Sequence, residues 1–478
     1  MIRRATQALC KLVLLASMSV TAPAWAQLPA PVDDLLKKVG IPAESVAVYV
    51  QRVDQEQPLV NHQGEKPMNT ASTMKLLTTY AGLELLGPAY RWRTELYADG
   101  KVEQGVLQGD LVIRGRGDPY LLSADMRQML EDLRLAGVEE IRGDIVIDTD
   151  YFADKYYDTA VFDDKPHSPY NAAPNAFAVN IKSTSFHFLE NKGKLSIEAD
   201  PDLEEIHIKN EVKLVKGECG DWRNRLRFTV EPLLEPHANQ VTVTFMGEYA
   251  VSCQDKTLEL SVLDDGPYAY NLLRNHWQSL GGKHYGAWRY GKVPAGAEPL
   301  VSHDSPPLSE IIRTINKYSN NLMVRQLFMT IGAERAASPV MEADSIHVIQ
   351  AWLASKGLRF PELILENGSG LSRNERISAQ HMAAFLLAAY ASPVMPEYLS
   401  ALPIPSVDGT MANRLRNSPS RGSAHLKTGT ITGVSALAGY VHDHKGRRWV
   451  TVIMVNDPKS SASRTAQDAL IDWVYQQP

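Results

Sequence analysis

The sequence has few of the features that mark membrane-spanning, nucleic-acid-binding or metal-binding proteins. Its 478 residues carry 49 Lys and Arg against 55 Asp and Glu, so a basic surface for nucleic acid is not expected. The apolar run from Leu12 to Val20 is shorter than the roughly 20 residues that a spanning helix needs. The 13 His residues show no paired ligand spacing, and no metal site or cofactor is predicted.

Cysteine is also scarce. Cys10 precedes the apolar run, while Cys219 and Cys253 lie in one region rich in strand-like sequence. Neither of these two has the neighbouring His or the ligand spacing that would indicate thiol chemistry. In an oxidising compartment they could form a disulfide, and two separate thiols are the alternative.

The first 26 residues have the organisation of a secretory signal peptide. Arg3 and Arg4 provide a positive start, the apolar run follows, and AWA at residues 24–26 is a small-x-small cleavage site. Cleavage would leave Gln27 as the first residue. We therefore expect a periplasmic protein with no transmembrane segment in the mature chain.

Residue patterns divide the mature chain into three kinds of sequence. Residues 45–53 alternate as a strand and residues 71–86 have helical periodicity, and helices return from residue 306 onward. Residues 91–181 mix short strands with one helix, whereas residues 183–258 read as strands separated by polar turns. Length alone predicts two or three domains, and no fixed-period repeat indicates a solenoid.

Ser72 and Lys75 form a Ser-x-x-Lys motif at the start of the predicted helix 71–86. This spacing places the hydroxyl and the amine one turn apart on the same face. A serine alone is a poor nucleophile, and a nearby amine with a depressed pKa can accept its proton. Taken alone, the motif is equally explained by a capping serine beside a solvated lysine.

Two further motifs follow in the chain. SNN at residues 319–321, within the predicted helix 308–332, offers a hydroxyl for proton shuttling and an amide for gripping a peptide. KTGT at residues 427–430 precedes strand-like sequence, and its glycine would permit close approach of a substrate backbone. Taken alone, the first motif is also explained by a pair of surface Asn residues, and the second by a β-turn with a charged edge. Together with Ser72 they match the Ser-x-x-Lys, Ser-x-Asn and Lys-Thr-Gly motifs of penicillin-recognising serine enzymes.

The resemblance extends beyond these motifs. NTASTMKLLTT at residues 69–79 resembles the nucleophile segment of the penicillin-binding protein 4 family of D-alanyl-D-alanine carboxypeptidases/endopeptidases. GRGDP at 115–119, ENGSGLSR at 366–373 and VDGT at 407–410 are similar to other signatures of that family. The resemblance therefore covers nearly the whole mature chain.

Three positions depart from the family's pattern. Thr70 stands where Pro is expected, and Asn320 and Asn367 stand where Asp is common. None of the three changes removes a functional group that the mechanism requires.

The resemblance implies an α/β fold: a penicillin-binding, β-lactamase-like transpeptidase domain, with helices on an antiparallel sheet, and two nested inserted domains. The 247 positions between Ser72 and Ser319 must hold those insertions. The expected division is a signal peptide (1–26), a peptidase domain (27–92 and 299–478), an inserted α/β domain II (93–183 and 258–298) and an inserted β domain III (184–257).

The resemblance also implies roles for the motif residues. Ser72 would attack the carbonyl between two D-alanines of a peptidoglycan stem peptide, with Lys75 taking its proton. The remaining residues are Ser319 as proton relay, Asn321 for the substrate amide, Lys427 for the relay, Thr428 for the terminal carboxylate, and Gly429 and Thr430 beside it. Backbone N–H groups of Ser72 and Thr430 would hold the oxyanion. β-Lactams would acylate the same serine, and Lys427 would lower the pKa of Lys75.

Several alternatives stay open. A DD-endopeptidase that cuts cross-links uses the same chemistry, and a serine β-lactamase or a non-catalytic wall-binding or scaffold protein could share the fold. Asp148 and Asp150 could meet an ammonium group of the stem peptide, or belong to a solvated turn. Oligomeric state and partner proteins are not predicted.

Overall fold

A computed structural model describes residues 27–233 and 239–478, and the predicted signal peptide lies outside them. Its elements run in chain order through five stretches. The first contains α1 (Ala30–Val39), β1 (Val46–Arg52), β2 (Val60–His62), β3 (Pro67–Met68) and α2 (Lys75–Leu86). The second contains β4 (Arg93–Glu103), β5 (Val106–Arg114), α3 (Ser123–Leu135), β6 (Glu140–Ile141) and β7 (Ile145–Asp148).

The remaining stretches complete the described chain. The third contains β8 (Thr184–Asn191), β9 (Lys194–Asp200), β10 (Ile206–Val215), α4 (Trp222–Arg225), β11 (Leu226–Pro232), β12 (Val241–Ala250) and β13 (Lys256–Leu260). The fourth contains α5 (Asp265–Ser279), β14 (Lys283–His284), β15 (Trp288–Tyr290) and β16 (Val301–Asp304). The fifth contains α6 (Leu308–Tyr318), α7 (Asn321–Arg335), α8 (Glu342–Ser355), β17 (Ile377–Ser378), α9 (Ala379–Tyr390), α10 (Met395–Ser400), β18 (Ala424–Ile431), β19 (Val434–His442), β20 (Arg448–Asn456) and α11 (Arg464–Tyr475).

A five-stranded antiparallel sheet joins the two ends of the mature chain, in the order β18-β19-β20-β1-β2. β19 and β20 are buried along almost their whole length. Such strands read as continuous apolar runs because both faces of the sheet are covered. One face packs on α1 and α11, and the other packs on α2 and the helices that follow β16.

β18 is the edge strand of this sheet. An edge strand has one row of backbone groups that no neighbouring strand pairs. The 3₁₀ turn Ala71–Met74, which carries Ser72, packs against this strand and marks where the site is built. Within residues 27–233 and 239–478, no helix is long and apolar enough to cross a membrane.

Two further groups of strands stand between α2 and α6. A seven-stranded sheet combines β4 to β7 with β14 to β16, and two three-stranded sheets combine β8 to β13. β13 pairs with β8 and ends at Leu260, and β16 pairs with β4 and ends at Asp304. The sheets therefore end a few residues beyond the predicted boundaries at residues 257 and 298, because paired strands cross them. The assignment of these groups as two nested domains stays a prediction.

Cys219 and Cys253 form a disulfide within the β8 to β13 region, so the bonded alternative is the one realised. Cys253 is buried in the apolar core of that region, beside the aromatic cluster of Phe188, Phe245 and Tyr249. The bond closes a segment with a sequence separation of 34 residues.

A Cys219→Ser, Cys253→Ser double variant should lose about 3.5 kcal/mol of unfolding free energy, because the disulfide restricts the unfolded chain. Urea unfolding with and without reductant would measure this loss. The variant should be insensitive to reductant and keep its reaction with penicillin, since Ser72 belongs to a different core. A folded variant that no longer reacts would contradict this placement.

Candidate active site

The candidate nucleophile lies on a 3₁₀ turn, Ala71–Met74, that leads directly into α2. The predicted helix from residue 71 therefore starts with a tighter turn, because the Asn69 side chain accepts from the backbone of Ala71 and Ala71 has a φ of 45°. Ser72 is half-buried and Lys75 is fully buried. Lys75 Nζ lies 2.9 Å from Ser72 Oγ, so the Ser-x-x-Lys spacing brings the two groups together.

The amine of Lys75 has three polar neighbours. It contacts Ser72 Oγ at 2.9 Å, Asn321 Oδ1 at 2.6 Å and the carbonyl oxygen of Ser369 at 2.6 Å. A neutral amine has two hydrogens and one lone pair, and the amide and backbone oxygens only accept. The two hydrogens therefore go to Asn321 and Ser369, and the lone pair is left for the hydroxyl of Ser72.

Electrostatics favour this neutral form. Burial, the charge of Lys427 and the charge of Arg325 hold the pKa of Lys75 well below its usual value, while Glu375 opposes them. The sequence predicted the contribution of Lys427. Burial is the larger cause, and it depends on tertiary packing.

The middle motif lies between two helices, so the prediction of a single helix over 308–332 is wrong. Ser319 ends α6 in the left-handed conformation, with φ 60° and ψ 35°. Asn320 caps α7 by accepting from the backbone N–H of Met323. The break turns the hydroxyl of Ser319 toward Lys427, whose Nζ donates to it at 2.8 Å. The Asn that replaces the family's Asp thus acts as a helix cap.

The third motif lies on β18. Lys427 is fully buried, also donates to the carbonyl of Thr428, and has its pKa lowered to about 7 by burial. Thr428 Oγ1 donates to Thr410 Oγ1 at 2.8 Å, and Thr430 is exposed. A second serine–lysine pair, Ser319 with Lys427, therefore lies beside the first.

Gly429 has a packing role in addition to the one predicted. A Cβ at this position would lie 2.5 Å from the carbonyl oxygen of Thr70 and 3.0 Å from the backbone nitrogen of Ser72. The glycine therefore lets β18 approach the nucleophile turn, and the close approach of a substrate backbone stays a prediction. A larger residue would push the third motif away from the first.

A cavity of about 510 Å³ opens over these groups. Ser72 and Ser319 lie in its wall, with Thr410, Thr428 and Thr430 beside them. The rest of the wall comes from Asn413, Arg414, Leu415, Ser435, Ala436, Arg464, Gln467 and Asp468. Lys75 and Lys427 lie beneath it, and the structure thus brings the predicted residues to one place.

Asn321 uses both ends of its carboxamide within the protein. Its Oδ1 accepts from Lys75, and its Nδ2 donates to the carbonyl of Tyr170 at 3.1 Å. The predicted contact with a substrate amide stays a prediction, while the structure adds a contact with the buried amine of Lys75.

The loop of residues 366–372 is a part of the site for which no role was predicted from the sequence. Glu375 is fully buried and accepts from the backbone N–H groups of Glu366, Asn367, Gly368 and Gly370. This carboxylate folds the loop so that Ser369 presents its carbonyl to Lys75. Asn367 accepts from Ser369 and donates to the carbonyl of Leu371, a bond that an Asp carboxylate could not make.

Asp148 and Asp150 serve the second sheet. Asp148 is buried, accepts from the backbone of Asp150 and Val293, and lies 3.7 Å from Arg114. Asp150 pairs with Lys292. Asp148 is thus buried rather than part of a solvated turn, and neither carboxylate lines the cavity over Ser72.

The fold and the two serine–lysine pairs define a site of the serine acyl-transfer class. The chain belongs to the D-Ala-D-Ala carboxypeptidase 3 (S13) family, whose profile matches residues 28–477. The predicted family is thereby confirmed.

Individual proteins show the same likeness. The chain is 30% identical over 458 residues to a D-alanyl-D-alanine carboxypeptidase from Actinomadura sp., covering 92% of this chain and 82% of the relative. It is 25% identical to the D-alanyl-D-alanine carboxypeptidase DacB of Haemophilus influenzae, covering 92% and 91%. The crystal structure of penicillin binding protein 4 from the same organism superposes with a TM-score of 0.77 at 23% identity, covering 93% and 99%. This superposition confirms the predicted fold class.

Glu375→Gln should lower the unfolding free energy by about 3 kcal/mol, because an amide nitrogen cannot accept the backbone bonds. Reaction with penicillin should slow about tenfold or more, since the carbonyl of Ser369 shifts. Thermal unfolding and stopped-flow acylation would measure both effects.

Glu362→Gln is the matched control, because Glu362 also accepts a backbone N–H, from Ser378, but pairs with His381 away from the cavity. It should lower stability while leaving the acylation rate unchanged. Equal rates for the two variants would contradict the role given to the 366–372 loop.

Proposed function

We propose that the chain is a serine D-alanyl-D-alanine carboxypeptidase that acts on peptidoglycan stem peptides through an acyl-enzyme on Ser72. The observation that carries the proposal is the geometry of Lys75, whose lone pair is left for the hydroxyl of Ser72 by two partners that only accept. The names of the family and of its members supply the substrate class.

In the proposed reaction, Ser72 Oγ attacks the carbonyl between the two D-alanines and its proton passes to Lys75. Backbone N–H groups of Ser72 and Thr430 hold the oxyanion, each commonly worth about 3 kcal/mol. The packing of β18 against the nucleophile turn supports this pairing of donors. The C–N bond breaks, and the leaving amine takes a proton through Ser319 and Lys427. Water then releases the shortened peptide and restores the serine.

The substrate would lie with its terminal carboxylate at Thr428 and its amide at Asn321. The contact between Thr428 and Thr410 supports the first assignment, because it places two hydroxyls together in the cavity wall and one of them can donate to a carboxylate while the other donates within the pair. Gly429 permits the close approach of β18 that both assignments need. Cleavage of a cross-link between two stem peptides uses the same steps and is the second candidate activity. A periplasmic location agrees with the disulfide and with the predicted signal peptide.

Incubation with a penicillin should add one penicillin mass to the wild type and none to Ser72→Ala, as measured by intact mass spectrometry. Ser319→Ala should still gain the adduct, more slowly. No adduct on a folded wild type would favour a non-catalytic wall-binding protein, and rapid loss of the adduct would favour a β-lactamase. Release of D-alanine from a pentapeptide, compared with cleavage of a cross-linked dimer, separates the two peptidase activities.

The rate of acylation should rise and then fall with pH. It rises as Lys75 loses its proton, at a pH well below the usual 10.5, because the neutral amine is the base. It falls as Lys427, with a pKa of about 7, loses the charge that attracts the carboxylate. Lys427→Arg should remove the fall, since guanidinium stays charged. A rate that still rises at pH 10 in the wild type would contradict the lowered pKa of Lys75.

A further inference from the structure

One face of α7 is joined to the short 3₁₀ turn Pro169–Asn171, which lies in the segment between β7 and β8. Asn321 Nδ2 donates to the carbonyl of Tyr170, and Arg325 Nη1 donates to the carbonyl of Ala172 at 2.9 Å and to that of Asn171 at 3.4 Å. Asn321 and Arg325 are one helical turn apart and point the same way. Asn321, which contacts Lys75, and Arg325 thus bind the same segment, residues 170–172.

The carbonyl of Tyr170 decides which way the amide of Asn321 points. The two ends of a carboxamide have nearly the same shape, and only their partners fix the orientation. With Nδ2 on Tyr170, the oxygen faces Lys75 and accepts from it. Reversed, the amide would present N–H groups to the amine and compete with Ser72 for its lone pair.

Arg325 is half-buried, and backbone carbonyls of Asn171 and Ala172 hold its guanidinium group. No salt bridge includes it among the described residues, and its Nε is buried without a hydrogen-bond partner there. Burial lowers its pKa, while Glu375, Tyr157 and Glu342 favour the charged form from a longer range. A half-buried charge that is satisfied mainly by backbone carbonyls calls for a reason beyond stability.

The groups around Lys75 give the charge such a reason. Lys427 from β18 and Arg325 from α7 disfavour its protonation, and Glu375 from the segment before β17 favours it. Arg325 thus keeps the base neutral from the same helix that supplies Asn321.

We propose that Arg325 is a positioning residue for acyl transfer: it fastens the Tyr170–Ala172 segment to α7, so that the Tyr170 carbonyl holds Asn321 with its oxygen on Lys75. Its charge acts on Lys75 in the same direction. The proposal rests on the function proposed above, and it assigns a part of the site to the segment between β7 and β8.

The test compares wild type, Arg325→Met, Arg325→Lys and Arg134→Met. Arg134 is the matched control, because it also has a buried nitrogen without a partner among the described residues, and it lies on α3 over the ring of Trp277 on α5. The rate of acylation by a fluorescent penicillin is measured from pH 5.5 to 9.5, together with thermal unfolding of each variant.

Arg325→Met should lower the acylation rate about tenfold or more. The rising limb of its pH–rate profile should move to higher pH, because a cation near Lys75 has been removed. Arg325→Lys should keep the limb and recover part of the rate. Arg134→Met should match the wild type. A purely structural role would lower thermal stability without displacing the limb.

A folded Arg325→Met with the wild-type limb, or with the wild-type rate, overturns the proposal while the peptidase function stands. A wild type that is not acylated overturns the proposed function first, and this proposal with it.

Discussion

The buried amine of Lys75 is the contact on which the site depends, because three separate parts of the chain must meet to satisfy it. α2 supplies the lysine, α7 supplies Asn321 and the 366–372 loop supplies the carbonyl of Ser369. An amine without partners in the interior costs several kcal/mol. Glycines allow these parts to approach each other. A Cβ on Gly370 would lie 1.8 Å from the carbonyl oxygen of Ala71, and a Cβ on Gly368 would lie 2.5 Å from Phe328. The packing that satisfies the buried amine of Lys75 is therefore the same packing that places it beside Ser72.

The second serine–lysine pair depends on a different anchor. Lys317, two residues before Ser319, is buried and donates to the carbonyl of Leu402 and to Asp408 at 2.6 Å. A Cβ on Gly409 would lie 2.5 Å from the carbonyl oxygen of Lys317. The end of α6 is thus fixed to the loop that carries Thr410, which contacts Thr428. One ion pair holds both the hydroxyl bonded to Lys427 and the hydroxyls at the mouth of the cavity.

The sequence predicted what short spacing controls. Ser72 and Lys75 are three residues apart, and one helical turn brings them together whatever the rest of the fold does. It could not predict the break at Ser319, since Asn320 acts as a cap only once α7 has started after it. Glu375 was missed because its four partners are backbone N–H groups, which leave no trace in side-chain identity. The packing role of Gly429 was missed for a related reason: a glycine indicates a close approach without saying which backbone approaches.

The nested order of the chain gives the inserted segment a part in the chemistry. Lys75 is separated from Asn321 by 246 positions and from Ser369 by 294, so no local contact can assemble the base. Between them the chain must build the seven-stranded sheet and return at α6. On the way it leaves the Tyr170 carbonyl against Asn321, and Gln326 exchanges two hydrogen bonds with the backbone of Asn175. The insertion therefore does more than lengthen the loop between α2 and α6. It supplies the carbonyl acceptor that turns the amide oxygen of Asn321 toward the amine of Lys75.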